Sequence, residues 1–207
     1  MGPMGVYRVQ MLGDKQAGGL MKHPQPGAPS MWLAYFCTMD LAGATKKAKQ
    51  LGAVAMVENA PIPEVGAFSM LQDPTGAVFA PWKSARGGED VERQAMPKPF
   101  TFCWDELMST DPAAAGAFYG KVFGWTLRPI DMGGGMTYTL LDRPGVTNAK
   151  GDPGSAGGMM KSPPGVPHSS GKPAPVGVSR TQLSRRTSWS AGPCGAFSPC
   201  RKARRLR

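Results

Sequence analysis

The chain of 207 residues is long enough for one or two domains, and 41% of its residues are apolar, which is enough for a hydrophobic core. Its net charge of +10 comes from residues 161–207, which hold ten basic and no acidic side chains. Residues 1–160 therefore have no net charge, and we expect no specific nucleic-acid-binding site in this part of the chain. The absence of an apolar run of about 18 residues predicts no membrane span, and the absence of a basic start followed by an apolar segment predicts no signal peptide. A chain of this length does not need its four cysteines to form disulfides, so we expect a cytoplasmic protein.

The first 30 residues predict short strands followed by a proline-rich connector. Residues 31–83 then predict a strand, a helix and three further strands, which together form a βαβββ unit. Asp40 caps the helix, because its carboxylate can accept the unpaired N–H groups of the first turn. Residues 73–76, Asp-Pro-Thr-Gly, predict a tight turn between the last two strands. The predicted helix spans 41–51, and the strands span 31–38, 53–58, 66–72 and 77–83.

Residues 84–98 are polar and glycine-rich, as expected of a linker, and residues 100–160 then repeat the pattern. Asp111 is the predicted N-cap of the second helix, and Gly124 is its C-cap. Pro112 suits the first helical position, where no backbone N–H is needed. The helix carries apolar residues at helical spacing, which predicts one buried stripe: Ala115, Phe118, Tyr119, Val122 and Phe123. The predicted strands span 100–108, 126–129, 136–142 and 157–160.

The beginning of the chain resembles the second half of this unit. Residues 17–21, AGGLM, match residues 156–160, AGGMM, and the segments before and after them also align. We therefore expect the chain to begin in the middle of a unit. After His168 the apolar pattern stops, and the Ser-, Pro- and Arg-rich composition of 162–207 predicts disorder. Our hypothesis is a shifted reading frame after about His168, which resequencing of the gene would test.

Four features together resemble the vicinal oxygen chelate superfamily, which includes glyoxalase I, bleomycin-resistance proteins and extradiol dioxygenases. They are the repeated βαβββ unit, DPAAAGAFYGKVFGW at 111–125, DPTGAVFAPW at 73–82, and AGGMM with its proline-rich connector. The closest likeness is to tandem two-domain actinobacterial proteins of glyoxylase or hydroxylase type. The resemblance implies an α+β fold of curved mixed sheets, incomplete at both ends. It places a first domain at 1–83, lacking its first strand and helix, a linker at 84–98, half of a second domain at 99–161, and a basic tail at 162–207.

The resemblance implies an enzyme of glyoxylase or hydroxylase type that acts on a small organic molecule. A protein that sequesters such a molecule without chemistry and an inactive fragment remain alternatives, and the unpaired domain halves leave a homodimer open. The superfamily usually binds a divalent metal through His, Glu or Gln on the first and fourth strands. Here 32–36 holds none of them, and Ala80 and Trp104 stand near ligand positions. We therefore predict no metal and no cofactor.

Glu106 is the best candidate for a catalytic group, since a strand carboxylate can face a pocket. Asp105 precedes it and points to the opposite face, so the two do not form an acid/base pair. Aromatic residues on strands that would curl round a cleft suit a planar ligand. The predicted ligand-binding residues are Trp32, Tyr35, Phe68, Trp104, Glu106 and Tyr138. A partly solvated carboxylate and ordinary core packing remain the alternatives.

Overall fold

A computed structural model describes residues 6–13, 15–23, 26–27, 31–86, 102–147, 151–162 and 179–183. Two helices and eleven strands lie within these ranges. The helices are α1 (Leu41–Gln50) and α2 (Pro112–Phe123). The strands are β1 (Tyr7–Leu12), β2 (Lys15–Met21), β3 (Ala34–Cys37), β4 (Val54–Ile62), β5 (Gly66–Gln72), β6 (Val78–Ser84), β7 (Phe102–Ser109), β8 (Thr126–Asp131), β9 (Thr137–Thr147), β10 (Pro153–Lys161) and β11 (Ser179–Leu183).

Two βαβββ units with the same topology confirm the predicted fold class. The first unit runs from β3 to β6, and its sheet has the order β3-β6-β5-β4. The second runs from β7 to β10 and has the order β7-β10-β9-β8. In each unit the first and last strands are parallel, and the other pairs are antiparallel. A parallel pair needs a crossover, which α1 and α2 supply.

The helix boundaries follow the predicted caps. Asp40 Oδ1 accepts the Gly43 N–H at 2.9 Å, and Asp111 Oδ1 accepts the Ala114 N–H at 3.0 Å. Gly124 ends α2 in the left-handed conformation, with φ of 74°, which a residue without a Cβ adopts at little cost. Within the part of the chain that is described, neither helix is long and apolar enough to span a membrane.

Strands β4, β9 and β10 are longer than predicted. A proline is normally read from sequence as the end of a strand, because it cannot donate a hydrogen bond to the neighbouring strand. In the structure, register shifts interrupt the pairing between Val57 and Ala60 and between Pro153 and Ser155. Such irregularities let a strand continue past residues that do not fit a regular ladder.

The hairpin formed by β1 and β2 reproduces the predicted repeat. Tyr7 pairs with Met21 across this hairpin, and Tyr138 pairs with Met160 across β9 and β10. In both hairpins the tyrosine ring lies over a glycine two residues before the methionine. A side chain at Gly19 or Gly158 would collide with that ring. The two hairpins are therefore structural counterparts.

The tail contributes a fifth strand to the second sheet, which differs from the predicted disorder. Strand β11 pairs antiparallel with the outer edge of β7, and Arg180 takes the register position opposite Glu106. A sheet edge presents unpaired N–H and C=O groups, and an added strand satisfies them. The prediction of disorder is therefore wrong for residues 179–183. Apart from Ser162, the rest of 162–207 lies outside the described residues, as does most of the predicted linker.

The two units share one hydrophobic core. Phe79 of β6 is 1% exposed, and its ring centroid lies 5.8 Å from that of Phe118 and 5.3 Å from that of Tyr119 in the second unit. Phe36 of β3 meets Trp125 edge-on at 5.1 Å. Four residues of the predicted α2 stripe are therefore buried, and Phe123 is partly buried. The stripe packs against the first unit as well as against its own sheet.

An ion pair links β8 and β9 in the second sheet. Buried Asp142 accepts hydrogen bonds from Arg128 Nε at 2.6 Å and from Ser155 Oγ at 2.5 Å. Burial opposes ionisation of Asp142, but the bonds from Arg128 and Ser155 outweigh it, so the pKa of Asp142 is lowered.

Removing this carboxylate should weaken the fold and reduce its sensitivity to acid. A lowered pKa stabilises the fold above the ordinary value of about 4, and this contribution is lost as the pH falls through the folded-state pKa. Asp142→Asn should therefore lower the free energy of unfolding by about 1–3 kcal/mol at pH 7, with a smaller loss in acid. Urea unfolding measures the free energy of unfolding of the wild type and the variant at neutral and at acidic pH. Glu64→Gln, at an exposed position, is the control. An equal loss of unfolding free energy at every pH would contradict the conclusion that ionised Asp142 stabilises the fold.

Candidate functional site

Three of the predicted site residues form a connected hydrogen-bond network on the second sheet. The Tyr138 hydroxyl donates to Glu106 Oε2 at 3.2 Å, and Trp104 Nε1 donates to the Tyr138 oxygen at 2.7 Å. Glu106 is 6% exposed. We call Trp104, Glu106 and Tyr138 the Glu106 network. The structure thus places the predicted catalytic candidate in a largely buried position beside two aromatic side chains.

Strand alternation brings this network together. Trp104 and Glu106 are two residues apart on β7, so they share one face of the sheet. Gly158 pairs with Glu106 across β10, and its missing side chain leaves the space that the Tyr138 ring occupies. The next residue, Met159, is fully buried and packs against Gly116 of α2. The Glu106 network therefore lies on the face that turns away from α2.

The electrostatics of the network fix the direction of its hydrogen bonds. Burial raises the pKa of Tyr138 strongly, and the charge and hydrogen bond of Glu106 raise it further against the opposing effect of Trp104. Tyr138 therefore stays protonated at neutral pH and donates to Glu106. The other carboxylate oxygen, Oε1, has no hydrogen-bond partner among the described residues. It can accept a hydrogen bond from a ligand or take up a proton.

The other predicted residues lie on the first sheet. The ring centroid of Tyr35 lies 6.3 Å from that of Phe68 and 6.4 Å from that of Trp82. Ser69, the neighbour of Phe68 on β5, bonds Thr45 of α1 at 2.8 Å, so Phe68 is on the side away from α1. We call Tyr35, Phe68 and Trp82 the aromatic face. Trp32 precedes β3 and is exposed.

Sequence reasoning missed Trp82, although a signal was present. Residues 73–76 are a tight turn between β5 and β6, and counting outward from that turn pairs Phe68 with Trp82. Five of the six predicted residues therefore fall into two groups, with Trp104, Glu106 and Tyr138 on the second sheet and Tyr35 and Phe68 on the first. Trp32 lies just before β3.

A small cavity lies between the two units. Its volume is about 30 Å³, and Phe36, Phe79, Tyr119 and Trp125 are among the residues that line it. This space is of the order of one water molecule, whereas pockets for drug-sized organic ligands are about 300–1,000 Å³. This cavity is therefore too small for an organic ligand, and Glu106 is also among the residues that line it.

Curated relatives carry two kinds of name. The chain is 43% identical over 79 residues to "Putative glyoxylase CFP32" of Mycobacterium bovis and of Mycobacterium tuberculosis, covering 38% of this chain and 30% of the relative. It is 32% identical over 110 residues to "Anthracycline biosynthesis protein DauV" of Streptomyces sp. (strain C5), covering 53% of this chain and 38% of the relative. These matches agree with the resemblance to the vicinal oxygen chelate superfamily that the sequence motifs indicate. The chain spans about a third of the length of these relatives.

Two other comparisons add little. No protein-family model matches the chain. A crystal structure of a glyoxylase/bleomycin resistance protein/dioxygenase domain from Frankia sp. EAN1pec aligns with a TM-score of 0.40 and 14% identity, covering 67% of this chain and 96% of that one. That likeness is too distant to support a conclusion.

The metal-ligand positions of a vicinal oxygen chelate protein are not filled by suitable donors here. Ala80 is fully buried and has no donor atom, and the Trp104 indole donates its N–H to Tyr138. An N–H donor cannot serve as a metal ligand. Among the residues that the structure describes, no group of three or more His, Cys, Asp or Glu side chains could hold a metal ion. The donor set therefore does not fit the superfamily's divalent metal.

Proposed function

We propose that this protein binds a planar organic molecule that donates a hydrogen bond to Glu106. The observation that supports the proposal is the geometry of that carboxylate. Oε2 is held by the Tyr138 hydroxyl, and Oε1 has no partner among the described residues. A ligand amine or hydroxyl is the complement of such an oxygen.

The chemistry around Glu106 favours a flat ligand. Trp104 is half-buried on the same face, so part of its indole ring is available for contact. Stacking on such a ring contributes about 0.5–1.5 kcal/mol beyond the area that is buried. A hydrogen bond to a charged acceptor contributes about 1.5–3 kcal/mol. The printed name of the Streptomyces relative, an anthracycline biosynthesis protein, is consistent with an organic small molecule as the ligand.

Binding is favoured over glyoxalase-type catalysis. A glyoxalase reaction polarises the substrate carbonyl through a bound metal, and Ala80 and Trp104 do not supply metal ligands. Glu106 could still act as a base toward a ligand proton, which keeps a metal-independent reaction as the second candidate. Product analysis separates the two.

Proflavine, a fluorescent planar aromatic diamine, tests the proposal by titration. Glu106→Gln keeps the size of the side chain and removes its charge, so we expect about 10-fold or greater loss of affinity. Asp105→Asn is the matched control, since this carboxylate is the next residue on β7 and points to the other face. Tyr138→Phe should cause a smaller loss, because the carboxylate remains. Circular dichroism checks that each variant is folded.

These titrations test whether Glu106 contacts the ligand. Equal affinity of the wild type and Glu106→Gln, or equal losses in Glu106→Gln and Asp105→Asn, would contradict the assignment of Glu106. Recovery of unchanged ligand after long incubation supports binding. Conversion that is lost in Glu106→Gln would replace the binding proposal with a catalytic one.

A further inference from the structure

Arg128 lies on the same face of the second sheet as Glu106. One row of directly paired residues crosses four strands: Glu106 of β7, Gly158 of β10, Leu140 of β9 and Arg128 of β8. Side chains that are directly opposite on neighbouring strands point to the same face of a sheet. Three strand spacings separate the two ends of the row, so the backbones of Glu106 and Arg128 are about 14 Å apart.

Side-chain contacts agree with this placement. Tyr138 and Asp142 are four residues apart on β9, so they share one face of the sheet. The Tyr138 hydroxyl donates to Glu106, and Arg128 donates to Asp142. Leu141, which has the opposite orientation on β9, is buried in the core that the two units share. The Glu106 network and Arg128 therefore belong to one surface, on the side away from α2.

Asp142 holds the guanidinium of Arg128 in position at one end of this surface. Asp142 Oδ2 accepts a hydrogen bond from Nε at 2.6 Å, and Oδ1 accepts one from Nη2 at 3.2 Å as well as the Ser155 hydroxyl. The side chain of Asp142 is only 6% exposed, whereas that of Arg128 is 42% exposed. The group of this ion pair that a ligand can reach is therefore the guanidinium.

The surface between the two charged ends has room for an apolar body. Gly158 has no side chain, and the ring of Tyr138 occupies the space above it. Leu140, the next residue in the row, is half-buried and points to the same face. Aromatic and aliphatic side chains of this kind suit the body of a flat organic ligand, while the polar groups at the ends fix its orientation.

We propose that Arg128 binds a carboxylate at the far end of the ligand that Glu106 holds. This inference rests on the proposed function, since it extends the same binding surface. The ligand class is then an elongated planar molecule with a hydrogen-bond donor at one end and a carboxylate at the other. A guanidinium matches the planar geometry of a carboxylate, and repulsion from Glu106 opposes the reverse orientation.

Two probes that differ only in the carboxylate test this assignment. They are aminobiphenyl and its linear carboxylate derivative, in which the amine and the carboxylate lie at opposite ends. Isothermal titration on the full chain should show that the wild type binds the carboxylate about tenfold more tightly. Arg128→Gln should reduce this preference to about onefold. Arg86→Gln removes a charge from an exposed position outside the second sheet and should preserve it.

Two further measurements separate binding at Arg128 from other effects. Arg128→Gln leaves buried Asp142 without its charged partner, which lowers stability. Arg128→Gln combined with Asp142→Asn removes the whole ion pair, and it should show the same loss of preference, with circular dichroism to check the fold. Attraction of the carboxylate to the basic residues of 161–207 weakens as salt is added, so the titrations are repeated at raised salt concentration.

The results at Glu106 and Arg128 can be told apart. A carboxylate preference that persists in both Arg128 variants, that is lost equally in Arg86→Gln, or that is absent from the wild type would overturn the carboxylate site. Glu106→Gln should weaken both probes by the same factor and leave the preference unchanged. If Glu106→Gln weakens neither probe while Arg128→Gln removes the preference, the proposed function fails and the carboxylate site stands.

Discussion

Replacing Phe79 with alanine should lower the free energy of unfolding by about 3–5 kcal/mol. Phe79 is 1% exposed and contacts Phe118, Tyr119 and Phe123 of α2 from its place on β6. Its removal leaves a cavity between the two units, next to the small one already present. Because the units share this core, we expect both to lose stability together.

Hydrogen exchange followed by mass spectrometry can compare the two units directly. Amide protons of β5 and β10 should lose protection to the same extent in Phe79→Ala. Val54→Ala, which shortens an exposed side chain on β4, should change stability by no more than about 0.5 kcal/mol. Unfolding of the first unit while β10 stays fully protected would show that the units are independent, contrary to this expectation.

Replacing Asp73 with alanine should cost about 2–5 kcal/mol, because it leaves buried donors without partners. Asp73 Oδ1 accepts the N–H groups of Thr75 at 2.8 Å and Ala77 at 2.9 Å, together with the Thr75 hydroxyl. Oδ2 accepts the buried Tyr119 hydroxyl at 2.9 Å. One carboxylate thus organises the turn before β6 and links it to α2 of the second unit.

A double-mutant cycle with Tyr119→Phe isolates the link between the units. The coupling energy should be about 1–2 kcal/mol, since each single change removes the same hydrogen bond. Asp131→Ala, which removes an exposed carboxylate bonded to a turn N–H, is the control and should cost less. Additive costs for Asp73→Ala and Tyr119→Phe would contradict the link.

The pKa of Tyr119 gives this link a pH dependence. Burial raises that pKa well above its ordinary value, and the Asp73 charge and hydrogen bond add to the effect. A raised pKa means that the stabilisation is complete below the ordinary value of about 10 and is lost as the pH rises through the folded-state pKa. The coupling between Asp73 and Tyr119 should therefore be constant across neutral pH.

The elements that sequence reasoning located depend on local chemistry. Asp40, Asp111 and Gly124 delimit the helices because capping involves residues within one turn. The stripe on α2 follows from a spacing that any amphipathic helix shows. The repeat between the β1–β2 and β9–β10 hairpins could be recognised in the sequence because the order of small and aromatic residues recurs. The two hairpins also pair in the same register. Strand ends at Ile62 and Thr147 were missed, because pairing partners rather than local residues decide where a strand stops.

The candidate site depended on information that no single segment contains. Alternation along β7 separates Trp104 and Glu106 from Asp105, but it does not say which face meets α2. The packing of Met159 against Gly116 decides that, and it turns Glu106 toward Tyr138. Likewise, the edge of β7 gains a partner from a distant segment, β11, because unpaired backbone groups favour an added strand.

The sequence by itself determined the βαβββ order, the helix caps, the resemblance to a superfamily and the choice of Glu106 as the leading candidate, because these follow from short-range patterns. Only the tertiary structure decided that the aromatic residues divide between two sheets. It also decided that Trp82 joins Tyr35 and that Phe79 packs against α2. Contacts between residues distant in the chain depend on how whole elements pack, and a periodic pattern defines a face without defining its partner.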